Sequence, residues 1–368
     1  MSRGMRWGGR VAQPAVLLGP SGCDAAAQRG DTALAVRSGT FAGALTSGRR
    51  ITRLLLLTTL TALATPCMAQ SATHTPDQPR AVTDTGRGPE TVVLLTGLVG
   101  GGGGFRQVQR LLVGQGYRVV TIDPYHLSLD SADVTFDALA RRVDGVLAQR
   151  GVTAAHVVGH AHGGGVGLRL AAKAPERVTT VSLLDVGAQA NNRGPVLGAS
   201  LRLVPLITRL PGGRRFVRAR FVAGLRQNSA RTGWLNDSTQ RAYTEPFLNT
   251  IGRAIALALR LGRSEEPEPL AAVISRIRVP VILLLGEVQS PAGPSPAELA
   301  ALAPLGPRLC VTRIPAVAHF PHEEAPDEVV RHLPAARRPR DGVLPSPDHV
   351  CRVGPGGTAA IRADRAKQ

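Results

Sequence analysis

The stretch that most constrains this chain runs from Ala155 to Gly165, AHVVGHAHGGG. It opens on a short apolar run, the mark of a strand buried on both faces. Gly159 and Gly163 then flank His160-Ala161-His162, and a helix-length segment of small and apolar residues follows. A strand that turns sharply into a helix brings two backbones together. Glycine at both ends of the turn removes the side chains that would block that approach. Residue 161 stands at the apex. A unit of this kind commits the chain to strands alternating with helices, and excludes a helix bundle or an all-β sandwich.

The alternation recurs on both sides. Val92–Leu95 reads as a strand, closed by Thr96-Gly97 and a Gly-rich loop over 100–104, with a helix from about Phe105 to Gly114. Tyr117–Ile122 is a strand ending at Asp123-Pro124, and Phe136–Arg150 an amphipathic helix with Leu139, Val143 and Leu147 on one stripe. After the turn, Gly164–Ala174 is a helix and Val178–Leu184 a strand ending at Asp185. Residues 187–278 break the pattern, with helical periods around Val196–Leu210, Arg214–Leu225 and Gln240–Leu261 and no clear strand. Strands resume at Val279–Leu285 and Arg308–Ile314, with helices near Ala297–Leu302 and Pro326–Leu333. The fold class expected is α/β: a mostly parallel sheet flanked by helices, with an inserted helical cap over about 187–278.

The ends read differently. Residues 1–48 lack either period and are expected to be disordered or a spurious N-terminal extension. Arg49-Arg50-Ile51-Thr52-Arg53, the apolar run Leu54–Ala64 and the small residues before Gln70 make 49–69 a signal peptide, cut after Ala69, and imply an exported protein. That run is too short to span a bilayer. Residues 70–90 are expected to be a linker, 91–333 the folded domain, and 334–368 a disordered Arg/Pro/Gly-rich tail. Should the signal be removed, Cys310 and Cys351 remain and can pair in an oxidising compartment. The net charge of +18 is nearly all arginine, the only lysines being Lys173 and Lys367. The arginines are scattered and no nucleic-acid-binding motif accompanies them, so no nucleic acid is expected. Weak association of an Arg-rich cap with anionic surfaces is retained as an expectation.

The segments LLTGLVGGGGG, TIDP, GHAHGGG, KAPERVTTVSLLD, VPVILLLGE and IPAVAHFPHEEAPDEV, in this order between Thr91 and about Leu333, resemble the cap-bearing α/β-hydrolase fold superfamily. The turn at Gly159–Gly163 then corresponds to the nucleophile elbow G-x-S-x-G, with Ala161 in the serine's place. The resemblance implies a histidine at His319, which is present, and an acid a few residues past Gly286, where Gln289 stands. Asp185, at the end of a neighbouring strand, is the alternative acid. The oxyanion donors implied are the backbone N–H of His162 and one near Leu98. His160 reads as a packing residue, and Glu323, Glu324 and Asp327 as a solvated helix start. Ser128 and Ser290 are the candidate displaced nucleophiles.

A methyl group at position 161 cannot attack an acyl carbon. The expectation is therefore a pseudo-hydrolase binding a small apolar or ester-like ligand. The alternative is a hydrolase or lyase in which His319 is a general base with an unconventional nucleophile or activated water. No cofactor or metal is expected, since no ligand-spaced His/Cys/Asp/Glu set accompanies the elbow histidines.

Overall fold

A computed structural model describes residues 81–98, 101–190 and 202–333, all within one unit that starts at Ala72. Its centre is one seven-stranded sheet in the order β1-β3-β2-β4-β5-β6-β7. These are β1 (Val82–Thr85), β2 (Thr91–Leu95), β3 (Arg118–Ile122), β4 (Ala155–His160), β5 (Val178–Leu184), β6 (Val281–Gly286) and β7 (Leu309–Ile314). Only β1 runs antiparallel, pairing Val82 with Ile122 at the edge; the other neighbours are parallel. The segments expected to be a signal peptide and a tail lie outside the described residues, whereas part of the expected linker is in fact this edge strand. Its four residues, VTDT, carry too little apolar character to be read as a strand alone.

Alternate residues of the central strands feed two cores, as the two-residue strand period requires. Val93, Leu95, Val157, Val181 and Leu283 meet one layer of helices, α2 (Phe136–Gln149), α3 (His162–Lys173) and α8 (Leu270–Arg276). Val92, Leu94, Val158 and Leu284 meet the opposite layer, α1 (Arg106–Gly114) and α11 (Pro326–His332). Between β5 and β6 lies the cap: α4 (Val204–Ile207), α5 (Gly213–Gln227), α6 (Asp237–Asn249) and α7 (Ile251–Leu261). It ends earlier than the sequence suggests. Helix α8 buries Val273 and Ile274 in the sheet's core and belongs to the helical layer, not the cap. The helical period read across Gln240–Leu261 is two helices, broken at Thr250. Two short helices, α9 (Pro296–Ala300) and α10 (Pro321–Glu324), complete the chain order before α11.

Candidate active site

The elbow joins β4 to α3 as tightly as its glycines suggest. A Cβ on Gly159 would come 2.5 Å from the carbonyl oxygen of Gly163, and one on Gly163 would come 2.3 Å from that of Leu95. Ala161 sits between them at φ 48°, ψ −125°, a region L-residues avoid. Its amide donates to the carbonyl of Leu184 at 3.3 Å, which ties the apex to the end of β5. The backbone thus holds the strained conformation that presents a side chain, and the side chain presented is a methyl.

The next residue after β5 is Asp185, also at positive φ, 46°. Its Oδ1 accepts the backbone N–H of Gly286 at 3.1 Å, and its Oδ2 lies 2.9 Å from Nδ1 of His319. Both side chains are buried, at 7% exposure each. An ionised carboxylate only accepts, so Nδ1 carries the hydrogen and Nε2 keeps the basic lone pair. Asp185, not Gln289, is the acid that touches the histidine. Gln289 is exposed in the turn after β6 and makes no hydrogen bond to His319. The geometric reason is that β5 ends on its own carboxylate, and the Gly286 amide at the end of β6 is aimed at it.

His319 stands on the loop between β7 and α10, and that loop is fixed from three sides. Its N–H donates to the carbonyl of Asn228 at 3.0 Å. Its carbonyl accepts from His160 Nε2 at 2.8 Å. The Glu324 carboxylate takes the amides of Ala318 and Phe320 at 3.2 Å with one oxygen, and those of Ala230 and Arg231 at 2.8 Å with the other. Glu324 is therefore no solvated helix start: it is 8% exposed and joins the histidine loop to the segment after α5. Glu323 is 5% exposed and accepts from Tyr243 of α6 at 2.8 Å.

Behind His319 the rings of His160 and His322 are packed 4.3 Å apart, and His160 lies 4.7 Å from His319. Burial, reinforced by His322 and His319, pushes His160 well below the ordinary histidine range. Burial and then His319 push His322 down to about 3. Both stay neutral near pH 7. Burial pushes Glu323 up to about 7, against the opposing pull of Tyr243 and Arg106. Neither His322 nor Tyr243 stands out in sequence; only their proximity in the fold marks them.

The remaining candidates separate. Ser128 is buried, with its hydroxyl donating to the carbonyl of Pro124 at 2.8 Å and accepting from Arg142 at 3.1 Å. A Cβ on Gly293 would stand 3.4 Å from Asp185 Oδ2 and 3.6 Å from Ser290 Oγ, and the buried Ser290 hydroxyl makes no hydrogen bond among the described residues. His162 opens α3, with its ring 6.1 Å from Tyr125 edge-on. Leu98 lines a cavity of about 260 Å³ beneath the cap. Tyr125, Leu129, Phe221, Tyr243 and Phe247 give it an apolar wall, and Asp123 and His126 a polar edge. Asp123 takes the amides of Tyr125 and His126 at 3.0 and 2.9 Å, while burial pushes its carboxyl above the usual range.

Residues 92–332 match the Alpha/beta hydrolase family. The chain belongs to that family. Among related hydrolase-family proteins, the sn-1-specific diacylglycerol lipase ABHD11 of Mus musculus is 23% identical over 253 residues, 64% of this chain and 77% of that protein. RutD of Azorhizobium caulinodans is 35% identical over 107 residues, 28% of this chain. The chain spans only 40% of that relative's length. A hydrolase of 2-hydroxy-6-oxononadienedioate and 2-hydroxy-6-oxononatrienedioate from Paraburkholderia phymatum is 38% identical over 111 residues, 28% of this chain and 38% of that protein. In fold, the hydrolase-family chain is similar to a bacterial membrane phospholipase A, with a TM-score of 0.53 at 22% identity over 68% of this chain and 79% of the other.

Proposed function

We propose that this α/β-hydrolase-family chain is an exported binding protein that holds a small apolar or ester-like ligand under its cap and performs no acyl-enzyme chemistry. The observation that carries this is Ala161 at the apex of the elbow. A methyl has no lone pair to attack a carbonyl and no proton for His319 to take. In serine proteases, removing the nucleophile costs on the order of 10⁶ in kcat, with a residual of roughly 10³–10⁴ over water left by binding and oxyanion stabilisation. The largely apolar lining of the cavity supports an apolar ligand. Basic residues followed by the run Leu54–Ala64 support export.

The bond between His319 and Asp185 favours a second reading. His319 Nε2 would take a proton from a bound water or from the ligand, while backbone amides near Leu98 and at His162 stabilise the oxyanion.

Hydrolysis of p-nitrophenyl acetate and butyrate by the native chain, Ala161→Ser, and each with His319→Ala separates the two. The native chain should stay at background. Ala161→Ser alone, with Gln289 untouched, should gain turnover by a factor of about 10³ or more, all of it lost with His319→Ala. Native turnover well above background that disappears in His319→Ala replaces the first reading with the second. A folded Ala161→Ser variant that neither turns over ester nor labels with a fluorophosphonate contradicts the role assigned to the elbow in both. Recovery of mature chain beginning at Gln70 outside the cytoplasm tests export.

A further inference from the structure

The cap carries a second surface, on the side of α5 away from the cavity. Five large hydrophobic side chains are exposed among the described residues, and four of them fall on one stretch: Leu203 at 55%, Leu206 at 58%, Leu210 at 57% and Phe216 at 57%. Single exposed apolar residues are ordinary; four gathered on consecutive turns are not. The spacing Leu203, Leu206, Leu210 is one face of a helical path through α4, and the turn that follows, closed by Gly213 N–H to the Leu210 carbonyl at 2.9 Å, leads directly to Phe216 on the first turns of α5.

Helix α5 is two-sided. Gly213, Val217, Val222 and Leu225 are buried, whereas Phe216, Arg220, Ala223 and Gln227 recur at helical spacing on the exposed face. From Arg202 to Gln227 the chain contains no Asp or Glu. Arg214 and Arg218 share the single carboxylate of Glu245 of α6, Arg218 in a direct hydrogen bond. Arg202, Arg209, Arg215, Arg220 and Arg226 are exposed and make no ion pair among the described residues.

We infer that this α4–α5 surface docks on an anionic lipid bilayer. Unneutralised arginines meet lipid phosphate and carboxylate, and the leucines and the phenylalanine enter the boundary between headgroups and acyl chains. A soluble polyanion would use the arginines but would leave the four apolar side chains in water; a purely hydrophobic partner would leave the arginines uncompensated. Only a surface that is anionic and apolar at adjacent depths satisfies both. Among the described residues no helix is long and apolar enough to cross a membrane, so the contact is peripheral.

Co-sedimentation of the full chain with phosphatidylcholine vesicles, with and without phosphatidylglycerol, tests this at about 50 and about 500 mM salt. Two variants carry the test: Leu206→Ser with Leu210→Ser and Phe216→Ser, and Arg215→Glu with Arg220→Glu. All five positions are exposed, and circular dichroism with a melting curve checks that each variant is folded. Binding to phosphatidylglycerol vesicles and not to phosphatidylcholine alone is expected, weakened at high salt, and reduced about tenfold or more by either variant. Equal binding to both vesicles, or none at low salt, overturns the assignment. So does binding that survives both variants, which places the affinity elsewhere in this basic chain. Heparin binding lost in the arginine variant, with vesicle binding indifferent to the apolar one, identifies a polyanion site instead and also overturns it.

Discussion

Ala161 and Asp185 follow adjacent strands, and both hold positive φ. Each such residue stores roughly 1–3 kcal/mol of strain. Glycine adopts the conformation of residue 161 without a steric penalty, so Ala161→Gly should raise stability by about 1 kcal/mol in denaturant unfolding despite its greater chain entropy. A null or opposite change would mean that the apex is unstrained. Glu323 supplies a second residue-scale prediction. Its carboxyl holds a proton up to about 7 when folded, against about 4.3 in an unfolded chain. The folded state binds the extra proton between those values, so the stabilisation is complete below the unfolded value and is lost as pH rises through about 7. Glu323→Gln keeps an acceptor for the Tyr243 hydroxyl and removes the titration. Its melting temperature should exceed the native one at about pH 8 and converge with it at about pH 5. His322 acts in the opposite sense: its imidazole is held neutral down to about 3, so its contribution is present above about 6.5 and is lost on acidification. The histidine and the elbow were legible in sequence because they sit in fixed motifs. The acid was legible only as one of two choices, since two neighbouring strand ends can reach one imidazole and spacing along the chain does not say which does.

At the scale of elements, the loop bearing His319 depends on Glu324. One carboxylate takes four backbone amides, two from that loop and two from the segment after α5. Glu324→Ala leaves those donors unsatisfied in a buried setting, at about 1–3 kcal/mol for each amide that finds no water. It should lower the melting temperature and broaden the His319 imidazole resonances, while Glu328→Ala, half-exposed on α11 and paired with Arg331, should do neither. The elbow is equally intolerant: Gly163→Ala drives a methyl into the Leu95 carbonyl and should destabilise the chain by several kcal/mol. Strands β2 and β6 were readable because every one of their residues is buried, the pattern of a parallel sheet covered on both faces. Strand β1 was not, because an edge strand of four residues satisfies its backbone on one side and needs no apolar pattern. The burial of Glu323 and Glu324 was hidden for a related reason. A carboxylate after a proline at a helix start looks solvated unless the chain that covers it is known, and here the cover comes from the cap.

Across the whole molecule, cap and sheet are joined by a buried charge cluster. Arg169 of α3, its side chain 1% exposed, lies 3.7 Å from Asp137 of α2 and 3.8 Å from Glu266, in the link between α7 and α8. Glu266 in turn accepts the first amides of α2, from Phe136 at 2.6 Å and Asp137 at 3.2 Å. Arg169→Met strips Glu266 of its buried cation and leaves Asp137 with Lys173 alone at 2.8 Å, and breaking a buried pair of this kind costs about 3–5 kcal/mol. A loss of that size in urea unfolding is expected, with Glu268→Ala, whose partners Arg276 and Lys173 are more exposed, losing about 1 kcal/mol or less. The imidazole already oriented by its carboxylate has a genetic corollary. Alanine and serine codons differ by a single base, so one transversion in the codon for residue 161 would complete a Ser–His–Asp set. On the proposed reading of the elbow, selection for ester breakdown in populations carrying this gene should find that change before any other.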